Sequence, residues 1–161
     1  MKQHSVIAAL VAAFFLSGCA PTSVDVSQGW DSAPDERFAQ EVDLQADMPE
    51  QQLSNFEQQL ASHLDTAGVG ANGQATHEVN VTITEYDMHS FVTRYLIGWF
   101  AGGESMISEV TVTDAGTGEV IGQSTVRTEP RGEVRATDSL TSEHAEHIVA
   151  YLQHGGQSGQ E

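Results

Sequence analysis

The chain has 161 residues, and its 23 acidic side chains outnumber six basic ones to give a formal net charge of −17 at pH 7. A surface of this charge repels nucleic acid and anionic lipid headgroups, so the composition argues against binding either of them. The length fits one domain with one core. Because the carboxylates are spread along the whole chain, a saline habitat is favoured over a single cationic partner, either a metal or a basic protein face.

The amino terminus has the order of a bacterial export signal. Lys2 precedes an uninterrupted apolar run from Val6 to Leu16, and small residues follow this run. A membrane-spanning helix needs roughly 20 apolar residues, and this run is much shorter. Residues 1–18 are therefore predicted to be a cleaved signal peptide.

Leu16-Ser17-Gly18-Cys19 resembles the lipobox of bacterial lipoproteins, in which the cysteine receives diacylglycerol and the new amino group is acylated. The resemblance implies cleavage between Gly18 and Cys19, and attachment of Cys19 to the bilayer by several acyl chains. Because Cys19 is the only cysteine, it cannot form an internal disulfide. Position 20 is Ala and not Asp, and in enterobacterial lipoproteins an Asp at this position favours retention in the inner membrane. The resemblance therefore implies the periplasmic face of the outer membrane.

The first mature residues are predicted to form a flexible tether. Residues 19–36 are rich in Pro, Ser, Asp and Gly and lack apolar periodicity. Trp30, the one large apolar residue there, either docks on the domain or stays exposed. Without the leader, the chain has five arginines and 23 carboxylates, a net charge of −18. Because this charge does not attract anionic lipid, the acyl chains alone are expected to attach the protein to the membrane. A single domain is predicted over 37–154 and a disordered tail over 155–161.

The first predicted elements are a strand and a helix. Apolar residues alternate with polar ones from Phe38 to Leu44, which predicts a strand. Asp47 and Pro49 are typical of a helix start, with Asp47 as its capping residue. Gly68 and Gly70 are predicted to end this helix. Spacings of three and four define its buried face, which comprises Leu53, Phe56, Leu60, Leu64 and Ala67.

Three further strands and a helix follow. The alternation from Val79 to Ile83 predicts a strand, and its change of phase predicts a bulge or strand end near Glu85. The strands around 106–112 and 120–126 are predicted to form a hairpin with a loop of four to five residues. The last helix is predicted over 138–153. The order β-α-β-β-β-α predicts an α+β fold, a mostly antiparallel sheet with two helices on one face.

The stretches 94–103, 110–114 and 117–121 resemble a family of small bacterial lipoproteins of unknown function. In that family an Arg and a Gly-rich stretch precede a strand ending in Asp, a Thr-Gly-Glu turn, another strand and a closing helix. The resemblance covers about residues 38–153. It implies a fold related to the amino-terminal domain of TolB and to penicillin-binding-protein-activator and curli-secretion lipoproteins. It also implies binding of other envelope proteins, with no catalytic residues to transfer.

The segment 91–103 is the most unusual part of the chain because it places six large apolar residues beside three glycines. If buried, it is a strand and turn of the core. If exposed, it forms an apolar patch of the kind that marks a protein partner or the membrane surface. The candidate partner-binding residues are Phe91, Arg94, Tyr95, Trp99 and Phe100.

Two polar sets are weaker candidates for chemistry. His144 and His147 lie one turn apart on the last helix, a spacing that can share a metal, although solvated histidines are the favoured explanation and no cofactor is predicted. Glu85, Asp87 and His89 could serve acid–base chemistry. No nucleophile motif or phosphate loop accompanies them, so no enzyme is predicted.

The sequence thus predicts a lipid-anchored, non-catalytic protein that binds or scaffolds another cell-envelope protein through residues 91–103. A small-ligand or metal-binding lipoprotein is the alternative. The exposure of Trp99 and Phe100 distinguishes the two, since exposed rings favour a protein interface and rings around a polar cavity favour a ligand.

Overall fold

The computed structural model describes residues 22–87, 105–129 and 137–155. In this part of the chain the elements follow in the order β-β-α-β-β-β-α. The strands are β1 (Thr22–Gln28), β2 (Phe38–Leu44), β3 (His77–Asp87), β4 (Ser105–Asp114) and β5 (Val120–Thr128). The helices are α1 (Glu50–Thr66) and α2 (Thr137–Gln153). The predicted α+β class is confirmed, with one more strand at the start than the sequence pattern indicates.

The five strands form one mixed sheet in the order β1-β5-β4-β3-β2. β2 pairs with β3 in parallel because α1 connects them as a crossover, and the other three pairs are antiparallel. The two helices contact each other, and His63 Nε2 lies 3.2 Å from Ser142 Oγ between them. The predicted packing of both helices on one face is confirmed. The opposite face carries exposed and half-buried polar side chains such as Asn80, Thr111 and Thr125.

The hydrophobic core lies between the sheet and the helices. Phe56, Leu60 and Leu64 of α1 are buried at the predicted spacing. Buried residues of the strands and of α2 join those of α1 in one cluster. Its fully buried members include Val79, Val81, Ile83, Val110, Val112, Val126, Ile148 and Leu152.

The predicted tether is wrong for most of its length. Residues 22–28 form the edge strand β1, which pairs antiparallel with β5. Thr22 is buried, and Val24 and Val26 pack against the core. Only two large apolar residues alternate here, so the pattern is weak, and β5 provides the backbone partners that the local sequence cannot. At the other end, Gly155 is buried and belongs to the domain rather than to the predicted tail.

The start of α1 differs from the prediction, and its end agrees with it. Pro49 is the N-cap residue, and no side chain caps the helix. Asp47 lies two residues too early, so its predicted capping role is wrong. At the other end, Gly68 has a φ of 73°, and the N–H groups of Val69 and Gly70 donate to the Leu64 carbonyl at 3.0 and 3.1 Å.

The predicted bulge and hairpin are both confirmed. Ile83 pairs with Ser108 and Glu85 with Ile107, so one residue of β3 lies unpaired between them. β4 and β5 are joined by residues 115–119, a five-residue loop. In this loop Asp114 Oδ1 accepts hydrogen bonds from Gly116 N at 3.0 Å, Thr117 N at 2.7 Å and Thr117 Oγ1 at 2.9 Å.

We expect Asp114→Ala to destabilise the hairpin in a pH-dependent way. The Thr117 hydroxyl, with the Thr117 and Gly116 N–H groups, holds the pKa of Asp114 below its ordinary 3.8. A lowered folded-state pKa stabilises the fold above pH 3.8, and this contribution is lost as the pH falls through the folded value. The urea midpoint of the variant should fall at neutral pH and approach that of wild type in acid. Glu119→Gln, an exposed change in the same loop, is the control, and an equal loss in this control would contradict the assignment.

Candidate functional site

A chain of polar side chains crosses the interior beneath α2. Ser108 Oγ lies 2.8 Å from His144 Nε2, and Thr128 Oγ1 lies 2.9 Å from His144 Nδ1. Thr22 Oγ1 lies 3.3 Å from Thr128 Oγ1 and 3.1 Å from Glu143 Oε1. Ser108, Thr128 and His144 are fully buried. This interior network therefore connects β1, β4, β5 and α2 at one place.

The ring of His144 is neutral in this network. Burial lowers its pKa from 6.5 to about 3, and the nearby charge of His147 adds to the effect. A neutral imidazole has one donor and one acceptor nitrogen, so one hydroxyl donates to the ring and the other accepts from it. The 2.8 Å between Ser108 Oγ and His144 Nε2 is the separation expected of a nucleophile and its general base. Ser108 has no exposed surface, however, so a substrate cannot reach its hydroxyl in this structure. The network joins buried elements.

The two histidines proposed as weak metal candidates lie in different environments. Both ring nitrogens of His144 are engaged by hydroxyls, whereas His147 is half-buried. Across residues 22–87, 105–129 and 137–155, no three His, Cys, Asp or Glu side chains form a group that could hold a metal. His144 follows Leu140 by four residues and precedes Ile148 by four, and this spacing could have placed it on the buried face.

The other predicted residues are only partly within the described chain. Glu85 accepts a hydrogen bond from Ser105 Oγ at 2.7 Å, and Asp87 is the last residue of β3. The remaining predicted residues lie outside the described residues. They are Gly18, Cys19, His89, Phe91, Arg94, Tyr95, Trp99 and Phe100.

One end of the sheet holds the described residues that adjoin the predicted residues in sequence. Thr22 pairs with Thr128, Thr128 with Met106, and Met106 with Tyr86, so four strands contribute to one row. β1 begins in this row, three residues after Cys19. β3 ends and β4 begins one residue beyond it, where Asp87 pairs with Ser105. We call this row of four residues the proximal end, and the 115–119 loop lies at the distal end.

The sequence left open whether Trp30 is docked or exposed, and in the structure it packs against the domain. Its Nε1 donates to both carboxylate oxygens of Glu36, at 3.1 and 3.2 Å, and its ring meets Tyr151 edge-on with centroids 5.5 Å apart. The Trp30 N–H donates to the Gly155 carbonyl at 2.7 Å. A Cβ on Gly122 would lie 2.6 Å from the indole, so glycine is required beneath the ring. Trp30 thereby connects β1 to the end of α2.

In the described residues, neither helix combines the length and the hydropathy that crossing a bilayer requires.

The fold defines a small α+β domain whose mixed five-stranded sheet is covered on one face by two helices. The chain belongs to the family described as Domain of unknown function (DUF4410), whose model matches residues 20–129. The matched range includes β1, in agreement with its place in the sheet. The predicted membership in a family of unknown function is thus confirmed, while the relation to TolB stays a prediction.

Solved structures share this fold at low sequence identity. The PelC dodecamer from Paraburkholderia phytofirmans is 14% identical, with a TM-score of 0.60 over 82% of this chain and 97% of that chain. Protein XCC0632 from Xanthomonas campestris, of family DUF330, is 9% identical, with a TM-score of 0.50 over 65% of this chain and 62% of that chain. Lipoprotein GNA1162 from Neisseria meningitidis is 10% identical and aligns less well, with a TM-score of 0.43 over 73% of this chain and 97% of that chain, so the shared fold rests on the two preceding structures. No curated protein sequence matches the chain.

Proposed function

We propose that the protein is a lipoprotein, held by acylated Cys19 on the periplasmic face of the outer membrane, whose domain binds or scaffolds another envelope protein without catalysis. The observation that carries the proposal is the Leu16–Cys19 lipobox directly before a folded domain. Several acyl chains on one residue bind a membrane stably. Because the net charge of −18 gives the domain no attraction to anionic lipid, we propose the acyl chains as its means of attachment.

The proposed contact with the partner is the segment 91–103. The chain enters this region from Asp87 and returns at Ser105, and these two residues pair in the sheet. Its large apolar residues suit a partner surface, since aromatic residues and Arg are enriched where protein interfaces are buried. Trp99 and Phe100 are the proposed anchors, with Arg94 as a polar contact.

A second candidate for the partner is another copy of this chain. Support comes from the PelC structure, which has the same fold and is a dodecamer. Head-to-tail contacts between identical subunits generate closed rings when the rotation closes. Self-assembly and binding of a different envelope protein make different crosslinked products, so one experiment distinguishes them.

We expect crosslinking in the source bacterium to give discrete adducts of the tagged full-length chain, identified by mass spectrometry after affinity purification. Adducts at multiples of the chain mass indicate self-assembly, and a different protein in stoichiometric yield indicates a scaffold. The double change Trp99→Ala and Phe100→Ala should reduce either adduct at least about tenfold, because truncating anchor residues typically costs more than about 1.4 kcal/mol.

Val120→Ala is the matched control, because Val120 is an apolar residue exposed on β5. The control should leave the adduct yield unchanged. Recovery of lipid and abundant porins alone, with equal yields from wild type and the double variant, would contradict the binding proposal.

A further inference from the structure

The place where the folded chain begins restricts how the domain can sit on a membrane. Thr22 is 5% exposed, and its hydroxyl lies within hydrogen-bond distance of both Thr128 and Glu143, so the start of β1 is fixed in the domain. Cys19 precedes it by three residues, which span at most about 11 Å when fully extended. Any lipid on Cys19 therefore enters the bilayer close to the proximal end.

This restriction would not exist if residues 19–36 were a tether. A flexible linker of this length has an end-to-end distance of about 23 Å and permits every orientation of the domain. β1 instead pairs with β5 through Thr128, and Trp30 is bound to Glu36 and Gly155. The residues expected to separate the domain from the membrane are part of the domain.

We infer that the proximal end of the sheet faces the lipid headgroups and that the strands rise from the membrane toward the distal end. The inference rests on the lipidated Cys19 of the proposed function. From Met106 to Asp114 β4 rises about 27 Å at the usual antiparallel spacing. The 115–119 loop, the Trp30 site and Gly155, which follows the end of α2, are therefore directed away from the bilayer.

The charges near the proximal end are compatible with this orientation. Among the described carboxylates near this end, Glu85 accepts a hydrogen bond from Ser105 Oγ, and Glu143 accepts one from the Thr22 hydroxyl. Glu129 forms an ion pair with Arg127 at 2.7 Å. Partnered carboxylates lose less on approaching a surface of low polarity than free ones. The overall negative charge repels anionic lipid, so the contact is with zwitterionic headgroups.

The experiment places one fluorophore at each end of the sheet. Ser23→Cys, next to Thr22 on β1, and Ala115→Cys, in the distal loop, both change small exposed residues. Acylation blocks the thiol of Cys19, so only the new cysteine reacts with the label. Each full-length lipidated protein is reconstituted into phosphatidylcholine vesicles that contain a lipid with a spin label on its headgroup, a short-range quencher.

We expect at least twofold stronger quenching at position 23 than at position 115, and no quenching of either label in detergent without the spin-labelled lipid. Equal or reversed quenching in vesicles that carry the protein would overturn the orientation and leave the lipoprotein proposal intact. Failure of the protein to float with vesicles, together with an unmodified Cys19 mass, would overturn both. Near-ultraviolet circular dichroism confirms that each labelled variant is folded.

Discussion

Replacing His144 with glutamine should remove most of the loss of stability that the domain shows between pH 6.5 and pH 5. In the folded protein burial lowers the pKa of His144 to about 3, while the unfolded chain takes up a proton near pH 6.5. The unfolded state thus binds more protons between these values, and stability falls as the pH falls. The contribution is complete above pH 6.5 and is lost progressively down to about pH 3.

The expected size follows from the width of this window. Each pH unit within it changes the free energy of unfolding by about 1.4 kcal/mol per proton, so the total is several kcal/mol. Among the described residues, the ionisable side chains near the ring include His147 on the same helix and Glu143, which is connected to it through Thr22 and Thr128. His63 of α1 contacts Ser142 at the same helix interface. Carboxylates have ordinary pKa values of about 4, so the upper part of the window separates the effect of His144 from theirs, and the single-residue change separates it from that of the other histidines.

The measurement is urea unfolding of the mature domain at pH steps of about half a unit, from about 7.5 to about 5. This range brackets the ordinary histidine pKa of about 6.5. His144→Gln should lower stability at pH 7 by about 1–3 kcal/mol, because an amide fits the two hydroxyls less well, and should flatten the slope with pH. His147→Gln is the control on the same helix, because it keeps the buried ring of His144 and both hydroxyl partners of that ring and should therefore keep most of the slope. An unaltered slope in His144→Gln would refute the assignment.

Replacing Trp30 with alanine should destabilise the domain by about 3 kcal/mol, the lower end of the range for large aromatic truncations, because the ring is only partly buried. The change removes the contacts with Tyr151 and Phe38 and the bond to Glu36. β1 would then be held to α2 mainly through Thr22 and the Tyr151 hydroxyl, which donates to Gln28 O at 3.2 Å. Urea unfolding followed by far-ultraviolet circular dichroism measures the loss.

A second readout tests whether Trp30 acts on Tyr151. Burial raises the pKa of Tyr151 to about 12, and removing the indole should lower it toward 10. An ultraviolet titration of phenolate, with Tyr151→Phe as reference, follows this change. Trp30→Phe keeps a ring but loses the bond to Glu36, so it should lose less stability than Trp30→Ala. A Trp30→Ala variant as stable as wild type would show that residues 22–36 do not depend on this contact.

The sequence pattern succeeded where local periodicity and burial coincide. The alternation in β3 and the spacing of Phe56, Leu60 and Leu64 identified elements whose inward faces are uniformly apolar. The turn at Asp114 was also predictable, because its side chain bonds to backbone groups two and three residues away. These features depend on interactions within a few residues of the chain.

The pattern failed where a distant segment completes the local structure. β1 lacks a clear apolar face, and it is a strand because β5 pairs with it about a hundred residues later. His144 looked like a surface histidine or metal ligand because the hydroxyls that satisfy it come from β4 and β5. Asp47 looked like the N-cap residue of α1, but the helix starts at Glu50, so the N-cap position falls on Pro49, two residues after Asp47.

By itself the sequence determined the lipobox-like motif that ends at Cys19, the class of fold, the helix and hairpin patterns, and a net charge that argues against nucleic-acid binding. Each of these depends on residue type and on spacings of two to four residues, which a single chain displays directly. Only the tertiary structure decided that residues 22–36 belong to the domain and that β1, which begins three residues after Cys19 in sequence, starts at one end of the sheet. Strand pairing and buried hydrogen bonds join residues far apart in sequence, and their geometry exists only in the folded chain.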